Sequence, residues 1–400
     1  QMMYKILETL GGKIEKKNGK VKIDTSKIEK FEIPPELMHK MRSSVILAGA
    51  LLGRYKKAIF SYPGGCDIGS RPIDLHLKSF EKLGIEVNQN HGNIECNAEK
   101  IKGEKIDLDF PSVGATENAI LASVLASGTT TITNAAREPE IIDLQNFLNK
   151  MGAKIEGAGT DKIQIEGVKT LKDISYNIMP DRIEAGSFLC FTAATKGNVI
   201  LENVNPTHIT PIINKLEEAE CKIEINRNKI KILAPKKLKA IDIKTMPYPG
   251  FPTDMQSVFA AMLTTAKGTS IIVENIFENR YKYTQELNKM GAKITVEGKR
   301  VVILDIPAAT KVPTSFDNNR YLRIGSSKVN LNKYPERESN LFHVLRVGLP
   351  TICNTESENQ ELTFDKLFVY YASKGITLNK RTFKKNLGFL PDNGKYNMLA

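Results

Sequence analysis

The chain has 400 residues, of which 41% are hydrophobic and 26% charged, and a formal net charge of +12. That length suits two or three domains and a large core without covalent staples. The longest apolar run, residues 45–53, falls well short of the roughly 20 residues that span a bilayer, so no membrane partner is expected. The five cysteines (Cys66, Cys96, Cys190, Cys221 and Cys353) form no C-x-x-C pair. This argues against a disulfide framework or a zinc site, and for a reducing, cytoplasmic setting. Residue 1 is Gln and no basic-then-apolar leader follows, which reads as a trimmed start. Lysines are scattered along strand-like stretches such as Lys229-Ile230-Lys231, as on solvated strand faces rather than a nucleic-acid groove, and anionic substrates would also favour them.

In chain order, one pattern returns: an amphipathic helix, a Gly turn, then two short alternating strands. It is found at Leu10-Gly11-Gly12-Lys13-Ile14-Glu15, Leu83-Gly84-Ile85-Glu86-Val87 and Met151-Gly152-Ala153-Lys154-Ile155-Glu156. It recurs, degenerate, at Ala219-Glu220-Cys221-Lys222-Ile223-Glu224, and again at Met290-Gly291-Ala292-Lys293-Ile294-Thr295. Counted from Gly12 through Gly84, Gly152, Glu220 and Gly291, the steps are 72, 68, 68 and 71 residues. Between these turns, residues 46–59, 120–132, 188–199 and 258–271 read as an apolar helix leading into a strand. Such even spacing is the mark of a repeat architecture. The strands alternate with period 2, so one sheet face is wet. The fold class is therefore α/β, built from repeated βαβαββ units. A sixth turn is due near residue 361, and none is found there.

The chemical centre is the loop Pro63-Gly64-Gly65-Cys66-Asp67-Ile68-Gly69-Ser70-Arg71-Pro72-Ile73-Asp74-Leu75-His76. Glycines and prolines around a thiol describe an exposed loop, where functional residues concentrate. A cysteine there, near Arg71, can serve as an acid or a nucleophile, or can be an incidental loop residue. Asp254 stands before an apolar helix, where it is either a cap or a functional carboxylate. Ser112-Val113-Gly114 also precedes a helix, as a plain turn or as an anion site at the free N–H groups. Arg42, at another helix start, is either a surface charge or the partner of an anion. Arg137 and Arg182 read as structural partners of Glu138 and Asp181, and His76 as a packing or hydrogen-bonding residue.

Met41-Arg42-Ser43-Ser44, the cysteine loop, Ser112-Val113-Gly114-Ala115-Thr116-Glu117 and Ala136-Arg137-Glu138-Pro139-Glu140-Ile141 together resemble the UDP-N-acetylglucosamine enolpyruvyl transferase family. So do Pro180-Asp181-Arg182-Ile183-Glu184, Phe251-Pro252-Thr253-Asp254-Met255-Gln256 and Phe277-Glu278-Asn279-Arg280. The resemblance implies a two-domain inside-out α/β barrel, here incomplete because the sixth unit is absent. It places a domain with the cysteine loop at 1–179, shortened at its start, and a partial second domain at 180–300. It implies phosphoenolpyruvate and UDP-N-acetylglucosamine as substrates, with no cofactor and no metal. Cys66 is then the proton donor and Asp254 the base beside the sugar hydroxyl. Arg71 binds phosphoenolpyruvate groups beside the nucleotide segment; Arg42, Arg71, Pro72, Ile73, Asp74, Leu75, Ser112, Val113, Gly114, Asp254 and Ile276 line the sugar-nucleotide site, and Arg280 is a further anion-binding candidate. Two features of that family are not found in this sequence: a Lys-Asn pair upstream and late Asp and Arg residues in a sixth unit. Nucleotide-sugar binding is therefore expected to outlast turnover.

Residues 301–400 have another resemblance. Val302-Ile303-Leu304-Asp305-Ile306-Pro307-Ala308-Ala309, Pro313-Thr314-Ser315-Phe316 and Arg320-Tyr321-Leu322-Arg323-Ile324-Gly325-Ser326 look like Schlafen/AlbA-type DNA-binding regulators. A strand followed by a Gly-Ser turn is expected at 320–326. Residues 362–373 and 380–387 read as short helices and Asp392-Asn393-Gly394 as a hairpin turn, an α+β layout compatible with a winged helix. Nucleic-acid binding, if any, is assigned to this segment alone, where Lys380-Arg381-Thr382-Phe383-Lys384-Lys385 could meet phosphates.

Overall fold

The computed structural model describes residues 1–65, 68–69, 71–90 and 92–297 in full, and the backbone of three further strands between 301 and 330. Residues 1–335 form one compact unit. It opens with helix α1 (Met2–Thr9) and a hairpin of strands β1 (Lys13–Lys17) and β2 (Lys20–Asp24), the second half of a repeat. Then come α2 (Pro35–Met38), α3 (Ile46–Tyr55), β3 (Lys57–Ser61), α4 (Asp74–Lys82), β4 (Glu86–Asn90) and β5 (Asn93–Asn97). The next unit holds β6 (Lys105–Asp107), α5 (Val113–Ser123), β7 (Thr129–Thr133), α6 (Pro139–Lys150), β8 (Lys154–Glu156) and β9 (Lys162–Glu166). The third comprises α7 (Arg182–Ala194), β10 (Asn198–Glu202), α8 (Thr210–Glu218), β11 (Lys222–Asn226) and β12 (Lys229–Leu233). The fourth comprises β13 (Ile243–Lys244), α9 (Gln256–Leu263), β14 (Gly268–Val273), α10 (Tyr283–Lys289), β15 (Ile294–Glu297) and β16 (Val301–Ile306).

The βαβαββ reading holds in full for two of these units. Their sheets have the order β6-β7-β9-β8 and β13-β14-β16-β15, with the first pair parallel and the rest antiparallel. In the sheet β3-β5-β4 the first strand is reduced to a parallel bridge between Glu32 and Ile59. The sheet β10-β12-β11 starts directly from its helix.

Each repeat is punctuated by one helix ending. After α1, α4, α6, α8 and α10 the chain turns through a left-handed residue: Gly11 (φ +107), Gly84 (+77), Gly152 (+102), Glu220 (+73) and Gly291 (+101). The next residue, Gly12, Ile85, Ala153, Cys221 or Ala292, then donates its N–H to the carbonyl five positions back. This is the Schellman closure, which satisfies helix carbonyls left without intrahelical donors. The first copy is therefore counted from Gly11, not Gly12, because Gly11 is the residue that takes the positive φ. A side chain at Gly11 would also meet the Lys27 carbonyl oxygen at 2.7 Å. Glu220 adopts the same turn without glycine, a conformation that costs an L-residue about 1 kcal/mol or more. Two copies share a further clamp. The Asn149 side chain bonds both N–H and C=O of Ile155, and Asn288 does the same to Ile294.

The buried apolar residues fall into two clusters, one from Ile6 to Ile165 and one from Ala185 to Ile294, hereafter the cores of a first and a second lobe. In the first, α3 lies against α5. The buried Asn118 amide spans the contact, its Oδ1 accepting from Gly49 N (2.8 Å) and its Nδ2 donating to Val45 O (3.0 Å). Cys96, Cys190 and Cys221 are buried free thiols. Burial pushes Cys96 up to about 12 and Cys221 up to about 11.

Strand β16 lies just beyond the boundary read at residue 300, yet belongs to the sheet of the preceding unit. All six of its residues pair with β14 and the first four, Val301–Leu304, with β15, and its β-branched run suits a central strand. Beyond it, β17 (Tyr321–Ile324) and β18 (Ser327–Asn330) form an antiparallel hairpin, with the expected strand in place. The helices read at 362–373 and 380–387, and the turn at 392–394, lie outside the described residues. No helix among the described residues is long and apolar enough to cross a membrane.

Candidate active site

Arg42 sits in a short 3-10 turn ahead of α3 and is half-buried, not a surface charge. Its Nη2 donates to the carbonyl oxygen of Arg71 and its Nη1 to that of Pro63 at 3.4 Å. One guanidinium thus ties together the two ends of the cysteine loop. Burial, and then the charge of Arg71, hold the Arg42 pKa below its usual value. A half-buried cation next to a second cation is the electrostatic signature of an anion site. Cys66, Asp67 and Ser70 themselves lie outside the described residues.

After the loop, Arg71 takes a left-handed backbone (φ +42), unusual for a residue with a side chain and a form of strain often found at functional sites. Pro72 is exposed, whereas Ile73 is buried, its side chain being part of the first core. Asp74 opens α4 at its N-terminus, where a carboxylate favours the helix dipole, and lies 3.9 Å from Lys78. Leu75 packs on the core. His76 is buried and Nδ1 lies 2.7 Å from Asn118 Nδ2. Burial pushes its pKa down to about 4; Arg42 adds to this and Asp74 partly offsets it. His76 therefore packs and hydrogen-bonds, as read from the sequence.

The Ser112-Val113-Gly114 segment begins α5, with Ser112 as N-cap accepting from Ala115 N at 3.4 Å. A Cβ at Gly114 would stand 3.0 Å from His76 Cε1, so this helix start and the 71–76 segment are neighbours. Arg42, Arg71, Asp74 and the N-terminus of α5 thus share one region of the first lobe.

On the second lobe, Asp254 lies in a 3-10 turn and caps no helix. Its Oδ1 accepts from Arg280 Nη2 at 2.8 Å instead, which sets aside the cap reading. Arg280 Nη1 is buried and takes no acceptor among the described residues. The fully buried Glu274 holds this pair in place. Its Oε1 accepts from Thr245 Oγ1, Ile276 N and Phe277 N, and its Oε2 from Thr253 Oγ1, beside Asp254. Ile276 is thereby fixed through its backbone.

The two lobes meet here. Asn279 N donates to Ile68 O at 3.2 Å, and Arg71 Cζ stands 5.0 Å from the centre of the Phe277 ring. Gly69 (φ +137) approaches Glu278 so closely that a Cβ would lie 2.6 Å from its Oε2. The Glu278 carboxylate could move aside, but the left-handed φ of +137 at this position favours glycine. Cations from two lobes and one carboxylate can hold an anionic substrate against a hydroxyl to be deprotonated.

Sequence reasoning missed Asn118, Glu274 and Phe277. Each carried a signal: an amide inside an apolar helix, a carboxylate ending the apolar strand Ile271-Ile272-Val273, and an aromatic between two charged motifs. It also misassigned two ion pairs. Arg137 pairs with Asp161 (3.4 Å) and the nearly buried Arg182 with Glu140 across the lobes (2.9 Å). Asp181 instead accepts from Ile183 N and Glu184 N as the N-cap of α7, which leaves it no role with its sequence neighbour. Around Arg182, burial pushes Glu117 up to about 7, with Glu140 and Glu138 adding to it, and burial also raises Glu138.

A lobed array of βαβαββ units, its two lobes meeting at arginines and a carboxylate, has the architecture of the enolpyruvyl transferases. The sequence profile described as EPSP synthase (3-phosphoshikimate 1-carboxyvinyltransferase) matches residues 1–319, and the chain belongs to this family. Among its relatives is UDP-N-acetylglucosamine 1-carboxyvinyltransferase 2 of Caldanaerobacter subterraneus subsp. tengcongensis, 52% identical over 309 residues, which are 77% of this chain and 74% of the relative. The enzyme of the same name in Carboxydothermus hydrogenoformans is 46% identical over 347 residues, 86% of this chain and 82% of the relative. The fold is similar to that of the enolpyruvyl transferase NikO of Streptomyces tendae (TM-score 0.66, 21% identity, 76% of this chain and 73% of that one). It is also similar to EPSP synthase of Acinetobacter baumannii (TM-score 0.57, 21% identity, 77% and 74%). The family match runs past residue 300, into the segment read as regulator-like.

Proposed function

We propose that this chain carries the site of a transferase that moves the enolpyruvyl group of phosphoenolpyruvate to the 3′-hydroxyl of UDP-N-acetylglucosamine, the first committed step of peptidoglycan synthesis. The observation that carries this reading is the convergence of Arg42 and Arg71 from one lobe with Asp254 and Arg280 from the other. The relatives' names supply the substrate class.

The chemistry asks for three things. The enol CH2 carbon must be protonated as the sugar hydroxyl loses its proton and bonds to the neighbouring carbon, the adduct must then lose inorganic phosphate and a methyl proton to restore the double bond, and the phosphate and carboxylate charges must be met by cations. In this reading Cys66 gives the proton to the enol carbon. Asp254 takes the hydroxyl proton, with Arg280 engaging its Oδ1 and with Oδ2 as the oxygen that accepts it. Arg42 and Arg71, with the N-terminus of α5, receive the nucleotide phosphates. Pro72, Ile73, Asp74, Leu75 and Ile276 shape the sugar-nucleotide pocket around them.

Calorimetric titration with UDP-N-acetylglucosamine tests the reading. Saturable binding is expected, weakened about tenfold or more by Arg71→Ala, the loss of one charge-assisted contact. Absence of binding, or affinity unaltered by Arg71→Ala and Asp254→Asn alike, would overturn it.

A further inference from the structure

We propose that Phe277 is a positioning residue of this site, its ring setting the two guanidinium groups, Arg71 and Arg280, that face an anionic phosphate ligand. The inference rests on the proposed function for the identity of that ligand, and on geometry for the rest.

The Phe277 ring receives both cations. Arg71 Cζ lies 5.0 Å from its centroid and Arg280 Cζ 5.5 Å. Both distances are within the reach of a cation–π contact. The backbone that carries the ring is anchored, since Phe277 N donates to the fully buried Glu274 carboxylate at 3.2 Å. The backbone of Arg71 is anchored likewise, its carbonyl accepting from Arg42. Arg280 is held by Asp254 through Nη2.

What an aromatic ring does differently from a carboxylate is chemical. A carboxylate fixes a guanidinium by taking its N–H groups, and it cancels the charge. A ring attracts the cation through its π face without itself taking N–H groups. Arg280 combines the two modes: Asp254 takes Nη2, while Nη1 is buried and has no acceptor among the described residues. A buried donor without an acceptor is costly, and an anion's oxygen would satisfy it. Two cations of like charge on one ring also repel each other, so an anion near both relieves that repulsion. Because Arg71 belongs to the first lobe and Phe277 to the second, the ring couples ligand charge to the contact between lobes.

Three proteins decide the matter: wild type, Phe277→Leu, which removes the ring, and Phe277→Tyr, which keeps it. Phe277 is only partly buried, so neither change threatens the core. Each is titrated separately with UDP-N-acetylglucosamine and with phosphoenolpyruvate, which distinguishes the two sources of phosphate. Phe277→Leu should weaken the ligand held by this pair about tenfold, and Phe277→Tyr should restore binding to within about twofold of wild type. Equal affinity of Phe277→Leu and wild type, or equal loss in both variants, would overturn the positioning role while leaving the proposed function standing. A second measurement needs no ligand. The Nε–Hε resonances of Arg71 and Arg280 should show ring-current displacement in wild type and Phe277→Tyr, and lose it in Phe277→Leu. Undisplaced resonances in wild type would sink the inference even if the protein binds neither substrate.

Discussion

The imidazole Nδ1 of His76 stands 2.7 Å from the side-chain nitrogen of Asn118, which simultaneously donates to Val45 O while its Oδ1 accepts from Gly49 N. The Gly49 N–H fixes which end of the amide faces the ring, so Asn118 is the donor and His76 Nδ1 the acceptor. The imidazole proton then resides on Nε2. A charged imidazole would place two N–H groups face to face.

A pH dependence follows. His76 is pushed down to about 4 in the folded state, against about 6.5 when unfolded. Between those values the unfolded chain binds the extra proton, so stability rises with pH across the window and is lost as pH falls through it. The full effect is on the order of 3 kcal/mol. Urea denaturation at a series of pH values should show His76→Gln flattening this rise. An identical pH slope in variant and wild type would disprove it.

Glu117 acts with the opposite sign. Its carboxyl is pushed up to about 7 by burial and by Glu140 and Glu138, so the folded state holds a proton that the unfolded chain releases from about 4.5 upward. Stability from this group is present at low pH and declines as pH rises toward 7. Glu117→Gln should therefore be more stable than wild type at pH 8, by about 1–3 kcal/mol, with little difference at pH 4.5. A variant equally or less stable at pH 8 would contradict the assignment.

Asn118→Leu should be among the most destabilising substitutions in the first lobe. It leaves the Gly49 N–H, the Val45 carbonyl and His76 Nδ1 without their partner in a buried contact. Each orphaned group costs about 1–3 kcal/mol, so a loss of about 3 kcal/mol or more is expected by chemical denaturation. A loss under 1 kcal/mol would mean that water or a rearranged α3–α5 contact replaces the amide.

Cys66 can be tested directly with fosfomycin, the epoxide inhibitor that the family resemblance implies. If Cys66 is the acid of the site, mass spectrometry should find the adduct on this cysteine and not on the buried Cys96, Cys190 or Cys221. Burial raises the pKa of all three, which keeps them as unreactive thiols. Failure to modify Cys66, with or without UDP-N-acetylglucosamine, would count against its role.

Much of the fold was legible because it is local. A helix, a left-handed turn and a two-strand hairpin depend on near neighbours, so the Leu-Gly and Met-Gly turns announced each repeat; even Glu220, without glycine, sits where the spacing put it. Candidate site residues could be proposed where motifs carried them, as at Arg42, Arg71, Asp254 and Arg280. Partnership was not legible. From its neighbours alone Asp254 could be a helix cap or a functional carboxylate; the fold brings Arg280 from 26 residues away onto its Oδ1. Arg182 looked like a partner for adjacent Asp181 until Glu140 reached it across the lobes, 42 residues distant in sequence. Neighbours in sequence say little about which charge a guanidinium meets, because that energy depends on distance and burial in three dimensions. Sequence alone determined the repeating units and the residue types at the site. Only the tertiary structure decided that a buried Glu274 and a single Phe277 ring hold those residues together, because long-range packing sets where each polar group finds its partner.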